Sequence, residues 1–122
     1  AEAMTLGAKI GIDLQQLHEV ICECAGSSWM FENRGAHIVA GDYTPHSAVD
    51  IFVKDLGIVA SEAGKAGCNT PLTSAALALF QQASAAGLGR EDDSAVAKIL
   101  AASAKVDLPG VDLPEVTTAD TR

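Results

Sequence analysis

The sequence is short of positive charge, and this shortage argues against several classes of function. Lysine and arginine supply 8 of the 122 residues against 16 aspartates and glutamates, so the formal net charge is −8. An acidic surface repels phosphate backbones, which argues against general nucleic-acid binding. No apolar run approaches the roughly 20 residues that a membrane-spanning helix requires. The sequence therefore predicts neither a nucleic-acid partner nor a membrane partner.

Cysteine is also scarce. The chain has 3 cysteines, an odd and sparse set that does not fit a disulfide framework. Proteins without such a framework are typical of reducing compartments. We therefore expect a cytoplasmic protein.

Aromatic residues make up only 4% of the chain, whereas alanine supplies 22 residues. Alanine is the best helix former and a poor strand former. Its small side chain also allows helices to approach closely. The composition therefore predicts an all-α fold.

Start and stop signals divide most of the chain into about six helices. The predicted segments are residues 1–10, 13–26, 47–65, 71–86 and 92–105, together with a third helix that begins at Ser28. Gly35 could interrupt or end this third helix, and the segment around Ile38 and Val39 is ambiguous. Helical spacing predicts that Val59 and Leu72, among other apolar residues, face the core. The first segment carries no N-terminal capping signal, so we expect the chain to be a fragment of a longer protein.

The helical pattern stops after Lys105. The polar, proline-containing stretch that follows holds Val-Asp-Leu-Pro twice, starting at Val106 and at Val111. Two short copies do not make a structural repeat. We therefore predict a helical domain over residues 1–105 and a flexible or partner-bound tail over residues 106–122.

Histidine and cysteine residues are candidates for metal ligands or catalytic bases. His18 and Cys22 have i, i+4 spacing, but Cys24 lies on another helix face and two separated ligand pairs are missing. Two buried thiols beside a surface histidine are therefore the favoured interpretation, and no metal is predicted. His37 and His46 flank a turn, where either could act as a general base, but the sequence places no nucleophile beside them.

Known nucleotide-binding motifs are absent from the sequence. It contains no P-loop and no G-x-G-x-x-G, because Gly87-Leu88-Gly89 lacks the third glycine and follows a helix. A nucleotide-binding fold within these residues is therefore not expected.

Lys54 and Asp55 lie within an otherwise apolar helical run and permit two interpretations. They could belong to a solvated helix face. Alternatively, Lys54 could point into a cleft toward an anionic or polar ligand, with its aliphatic stem packed. Gly57 favours the second interpretation, because a glycine within a helix often marks the close approach of another element. By contrast, Asp92 and Asp93 stand at a helix start, where carboxylates ordinarily act as caps.

Several motifs together resemble the C-terminal helical domain of the β-hydroxyacid dehydrogenases, the family of 3-hydroxyisobutyrate dehydrogenase. The similar segments are Glu2-Ala3-Met4-Thr5-Leu6 with Gly11-Ile12-Asp13, the Ser28 to Gly35 stretch, Lys54-Asp55-Leu56-Gly57, Pro71-Leu72, and Gly87-Leu88-Gly89 with Asp92-Asp93-Ser94-Ala95. Their order and spacing cover about residues 1–100. The family's Lys-Asp-Leu-Gly motif continues with an alanine and a final aspartate, which this chain does not reproduce.

The resemblance implies a fold of the 6-phosphogluconate dehydrogenase C-terminal type and a role in hydride transfer. In this family an N-terminal Rossmann domain binds NAD or NADP, and the active site lies between the two domains. The catalytic lysine belongs to the helix that joins them, upstream of the position of Ala1, so no catalytic residue is expected here. Lys54 resembles the lysine beside the cofactor, and Asp92 resembles an acid near the substrate.

Two hypotheses follow for the function. The first is the substrate-side and dimerisation domain of an NAD(P)-dependent 3-hydroxyacid dehydrogenase, inactive and without bound cofactor when isolated. The second is a stand-alone helical module for protein–protein interaction. Both predict a homodimer or a higher homo-oligomer, because both leave apolar helix faces to be covered.

Overall fold

A computed structural model describes residues 1–112 as an all-α fold with no β-strand among them. The α-helices are α1 (Glu2–Lys9), α2 (Leu14–Cys22), α3 (Trp29–Ala40), α4 (Val49–Ala66), α5 (Pro71–Ala83) and α6 (Val96–Ala104). An irregular helical turn (Ser84–Leu88), kinked where Gly87 has a φ of +88°, follows α5, and a 3-10 turn (Asp93–Ala95) precedes α6. The all-α prediction and the six predicted helices are confirmed for the described residues.

Local capping signals fix several helix ends. The Asp13 carboxylate accepts a hydrogen bond of 2.9 Å from the Gln16 N–H, and the Ser28 hydroxyl accepts one of 3.0 Å from the Phe31 N–H. Such caps satisfy amide groups that have no partner in the first helical turn. At the other ends of α3 and α4, Gly41 and Gly67 adopt left-handed conformations.

Gly35 neither breaks nor ends α3, so that alternative is wrong. It is buried within the helix, and a Cβ at this position would lie 2.7 Å from Cδ2 of His18. The glycine therefore allows α2 to lie close against α3, and its effect is on packing rather than on helix length.

The core lies between α1, α3, the first turn of α4, the last turn of α5, and α6. Its buried residues include Met4, Ile38, Val49, Ala83, Ala97 and Ala101. Val106 and Leu108 also belong to this core. Residues 106–112 thus pack on the domain, in contrast to the flexible tail expected from residue 106, and residues 113–122 lie outside the described residues.

Helices α4 and α5 form an antiparallel hairpin that extends away from this core. None of residues 50–82 is buried, although Phe52 and Phe80 stack with ring centroids 4.8 Å apart. Leu72 is 84% exposed and Val59 is also exposed, so the prediction that they face the core is wrong. Helical spacing identifies an apolar stripe, but it does not show whether another element covers that stripe. No helix among residues 1–112 is long and apolar enough to span a bilayer.

Candidate functional site

Lys54 lies on the exposed face of the α4–α5 hairpin. Its Nζ is 3.1 Å from Oδ1 of Asp55, and the two side chains are 66% and 56% exposed. One turn further along α4, a Cβ added at Gly57 would meet nothing within 4 Å. The surface therefore offers a cation with open space beside it, and the lysine is not covered by its own domain.

The first turn of α4 is held firmly, one turn before Lys54. The Ser84 hydroxyl donates a hydrogen bond of 2.6 Å to Oδ1 of Asp50, and the Asp50 N–H donates one of 3.0 Å to the Gly89 carbonyl. A Cβ at Gly89 would lie 2.7 Å from Cγ of Asp50, so a larger residue would force the Asp50 carboxylate to shift. The turn after α5, together with Gly89, thereby fixes the start of the helix that carries Lys54.

Asp92 lies inside the domain, where its carboxylate is fully buried. It accepts hydrogen bonds from the Ser94 hydroxyl, from the Ser94 N–H at 3.2 Å, from the His46 N–H at 2.9 Å, and faces Nδ1 of His37 at 2.9 Å. Burial alone raises the pKa of a carboxyl group, but these hydrogen bonds outweigh burial and hold the pKa of Asp92 well below its usual range. The group is therefore a buried anion that organises its surroundings.

The two histidines that flank the turn, both candidate bases, belong to this same cluster. The rings of His37 and His46 are tilted against each other, with centroids 4.7 Å apart. Because Asp92 faces Nδ1 of His37, it fixes the orientation of that ring. Each of these residues is a recognisable candidate in the sequence. Their contact is not, because Asp92 and His37 are 55 positions apart and only the fold brings them together.

No hydrogen bond or ion pair among the described residues joins Lys54 to Asp92. Lys54 lies on the protruding hairpin, whereas Asp92 has no solvent-accessible surface. The roles predicted for them, beside cofactor and beside substrate, stay predictions. Any effect of Asp92 on a bound molecule would have to pass through neighbours such as His37.

A second ion pair, which sequence analysis missed, lines an apolar recess of the domain. Nε of Arg34 donates a hydrogen bond of 2.6 Å to Oδ1 of Asp93, and the guanidinium lies 5.7 Å from the centre of the Trp29 ring. The recess has a volume of about 260 Å³ and is bordered mainly by Met4, Met30, Phe31, Ile38, Phe52 and Phe80. Arg34 and Asp93 are 59 positions apart, so no sequence spacing indicates the pair.

The candidate metal ligands do not form a metal site. Nε2 of His18 lies 3.0 Å from the Glu32 carbonyl oxygen and 3.8 Å from Sγ of Cys22. Desolvation, with smaller contributions from Glu32 and Glu23, raises the pKa of the Cys22 thiol. Cys22 is half-buried and Cys24 is exposed, so the expectation of two buried thiols is wrong. Within residues 1–112, no three His, Cys, Asp or Glu side chains are grouped to hold a metal ion.

Comparison with known proteins gives consistent matches. Residues 1–100 match a family model described as NAD-binding of NADP-dependent 3-hydroxyisobutyrate dehydrogenase. L-threonate dehydrogenase of Escherichia coli K12 is 57% identical over 110 residues, covering 90% of this chain and 35% of the relative. The enzyme of the same name from Cupriavidus necator is 54% identical over 114 residues, covering 93% and 36%.

More distant relatives and solved structures agree with these matches. 2-(Hydroxymethyl)glutarate dehydrogenase of Eubacterium barkeri is 43% identical over 102 residues, covering 81% of this chain and 33% of the relative. The crystal structure of a 3-hydroxyisobutyrate dehydrogenase from Salmonella typhimurium superposes with a TM-score of 0.79 at 59% identity, covering 80% of this chain and 34% of that one. The chain thus spans about a third of the length of the proteins it matches.

Proposed function

The chain belongs to the NADP-dependent 3-hydroxyisobutyrate dehydrogenase family, and from this premise we propose that it forms the substrate-side and oligomerisation domain of an NAD(P)-dependent 3-hydroxyacid dehydrogenase. In this proposal a Rossmann domain of the same protein supplies the dinucleotide site, and the two domains enclose the substrate. The helical domain is inactive when isolated and binds no cofactor on its own. The cytoplasm is the proposed location, which agrees with three free cysteines.

The observation that carries this proposal is the placement of Lys54. A lysine kept at a helix surface by an adjacent carboxylate, with open space at Gly57, suits a contact with a bound dinucleotide. The nicotinamide, when bound, supplies the hydride-transfer chemistry. Lys54 would offer positive charge at the cofactor side of the cleft, and Asp55 would orient the ammonium group.

Asp92 has a different part in this proposal. Its position in the family resemblance suggests the substrate end of the cleft, yet its carboxylate is enclosed by donors from its own chain. We therefore treat Asp92 as a positioning residue. It holds His37 and the loop at His46 in place, and the substrate would meet the surface that these groups support.

Self-association is proposed for the α5 side of the α4–α5 hairpin. Residues 66–89 include no charged residue, although the chain as a whole carries a net charge of −8. In a two-fold symmetric contact the same patch of each copy meets its own equivalent. A patch without charge avoids the repulsion that other faces of so acidic a chain would bring. The exposed side chain of Leu72, which lies within this charge-free segment, could then be covered by the second copy.

A stand-alone interaction module remains the alternative, because the same exposed hairpin also suits docking to another protein. A chimera separates the two. In it, the 122-residue chain replaces the matching 110 residues of the Escherichia coli L-threonate dehydrogenase, to which it is 57% identical. We expect the chimera to oxidise L-threonate with NAD or NADP, and the 122-residue chain alone to show no activity.

Within the chimera, Lys54→Ala is expected to lower kcat/KM at least about tenfold, which corresponds to about 1.4 kcal/mol of lost transition-state stabilisation. Lys65→Ala provides the matched control, because Lys65 lies on the same helix, is 69% exposed and also pairs with a carboxylate, that of Glu62. Steady-state kinetics with varied cofactor provide the measurement. Equal effects of the two substitutions would remove Lys54 from the cofactor side, and an inactive chimera that folds would favour the interaction module.

A further inference from the structure

The segment after α6 packs against the domain with alternating side chains. We call residues 106–110 the strap. Val106 and Leu108 point into the core and are 6% and 4% exposed, whereas Asp107 and Pro109 are exposed. The Tyr43 hydroxyl donates a hydrogen bond of 3.5 Å to the Pro109 carbonyl, and the Val111 N–H donates one of 3.1 Å to the Leu108 carbonyl. The strap thus anchors through Val106 and Leu108 and then turns at Pro109 and Gly110, where the Val111 to Leu108 bond closes the turn.

The fifth strap residue, Gly110, meets the domain at a point where no side chain fits. Its φ of +69° is disfavoured for other residues, and a Cβ there would overlap the Gly41 carbonyl group. A Cβ on Gly41 would in turn lie 2.7 Å from the carbonyl carbon of Pro109. Two backbones therefore touch here, and the contact requires glycine on both sides.

The strap has a near-duplicate directly after it in the sequence. Residues 106–110 read Val-Asp-Leu-Pro-Gly, and residues 111–115 read Val-Asp-Leu-Pro-Glu. The two copies differ only at the fifth position, which is the position that contacts Gly41. Both copies carry the valine and leucine that the two core pockets accept.

We propose that the strap's binding surface is a recognition site for a Val-x-Leu-Pro-Gly segment, and that Gly41 selects the first copy by excluding any side chain at the fifth position. A shift of five residues would bring Val111 and Leu113 to the two pockets and Glu115 to the place of Gly110. A glutamate there would need both a positive φ and the space of the Gly41 carbonyl. The extra loop is a smaller obstacle, because the cost of loop closure grows slowly with length.

A rescue experiment on the full chain tests this selection by thermal unfolding. Leu108→Ala leaves a cavity in the core and is expected to lower Tm by roughly 6 °C or more. Adding Glu115→Gly gives the second copy the permitted fifth residue, so we expect at least about a third of the lost Tm to return. Glu115→Ala is the matched control, because it removes the same carboxylate but keeps a Cβ, and it is expected to restore nothing. Glu115→Gly alone provides the baseline for both.

A third substitution shows whether the rescue passes through the second copy. Adding Leu113→Ala to the Leu108→Ala, Glu115→Gly chain is expected to abolish the recovered stability. Equal Tm values for the glycine and alanine variants at position 115, or a recovery that survives Leu113→Ala, would overturn the proposal. Should Leu108→Ala prevent folding, Leu108→Val makes a smaller cavity and permits the same comparison.

Discussion

Two stretches of this chain are opposites in burial. Residues 92–97 are six consecutive buried residues, two of them aspartates, whereas residues 50–82 contain no buried residue at all. The short stretch ties α3, α4 and α6 together through the hydrogen bonds of Asp92 and the ion pair of Asp93 with Arg34, although Oδ2 of Asp93 has no partner among the described residues. The long stretch forms regular helices that contact mainly each other. Stability and available surface are therefore supplied by different parts of the same small domain.

The buried stretch depends on polar groups, and the fold provides partners for most of them. Asp92 organises the loop at His46 and the turn at Ser94, and Asp93 pairs with Arg34. A buried carboxylate without such partners would be strongly unfavourable. The hairpin needs no such network because its polar atoms and many of its apolar atoms face solvent. Substitutions in the two stretches should therefore differ sharply in their cost.

The largest expected contrast is between two aspartates. Asp92→Ala leaves donors from Ser94, His46 and His37 without their buried acceptor, so we expect the free energy of unfolding to fall by about 3–5 kcal/mol. Asp55→Ala on the exposed hairpin should change it by less than about 0.5 kcal/mol. Urea unfolding followed by circular dichroism measures both. Similar losses for the two variants would contradict the division described above.

The lowered pKa of Asp92 predicts that the free energy of unfolding decreases at acidic pH. The pKa of Asp92 is lowered in the folded state from its ordinary value of 3.8, so its contribution is fully present above about pH 4 and is lost as the pH falls further. The slope from this one group is at most about 1.4 kcal/mol per pH unit. Unfolding measured between pH 7 and pH 2 should show this decline, and Asp92→Asn should flatten it relative to Asp55→Asn. An unchanged slope in the Asp92 variant would assign this decrease to other carboxylates.

The smallest expected effect on folding comes from a substitution on the hairpin surface. This substitution tests whether the exposed hairpin serves as a contact surface rather than as part of the stable core. Leu72→Glu should leave the free energy of unfolding per chain within about 0.5 kcal/mol, because Leu72 is already exposed. It should weaken self-association at least about tenfold, since it places like charges at a symmetric contact. Sedimentation over a range of concentrations measures this. Val20→Glu, a similar change on exposed α2, is the control, and equal effects of both would move the contact away from the hairpin.

The sequence predicts those features that are encoded over a few residues. The caps at Asp13 and Ser28 and the glycine end at Gly67 depend on neighbouring backbone groups, so these helix boundaries could be read directly. The end of α3 at Gly41 could not, because Gly35 offered the same local signal earlier in the helix. Burial along the helices could not be derived in this way. Leu72 has the spacing of a core residue, yet no element of the described chain covers it.

The residues of the candidate site also divide into those with local contacts, which the sequence shows, and those with long-range contacts, which it does not. The adjacent pair of Lys54 and Asp55 is visible in the sequence, and its surface position agrees with the cleft interpretation as well as with a solvated face. The contacts of Asp92 with His37 and of Asp93 with Arg34 span 55 and 59 positions. Such pairs arise from the packing of α3 against the start of α6, which neither spacing nor composition specifies.

The backbone pairing of Ala48 with Asp92 has a consequence for how this domain can vary. It places the two ends of the excursion that contains the hairpin side by side, supported by a hydrogen bond of 2.7 Å from the Asp93 N–H to the Ser47 carbonyl. Because both ends of the hairpin are anchored at this pairing, the hairpin can change length at its far end without displacing the core. The turn at Gly67 is therefore a natural position for inserting a foreign module, such as a fluorescent reporter, while the remainder keeps its architecture.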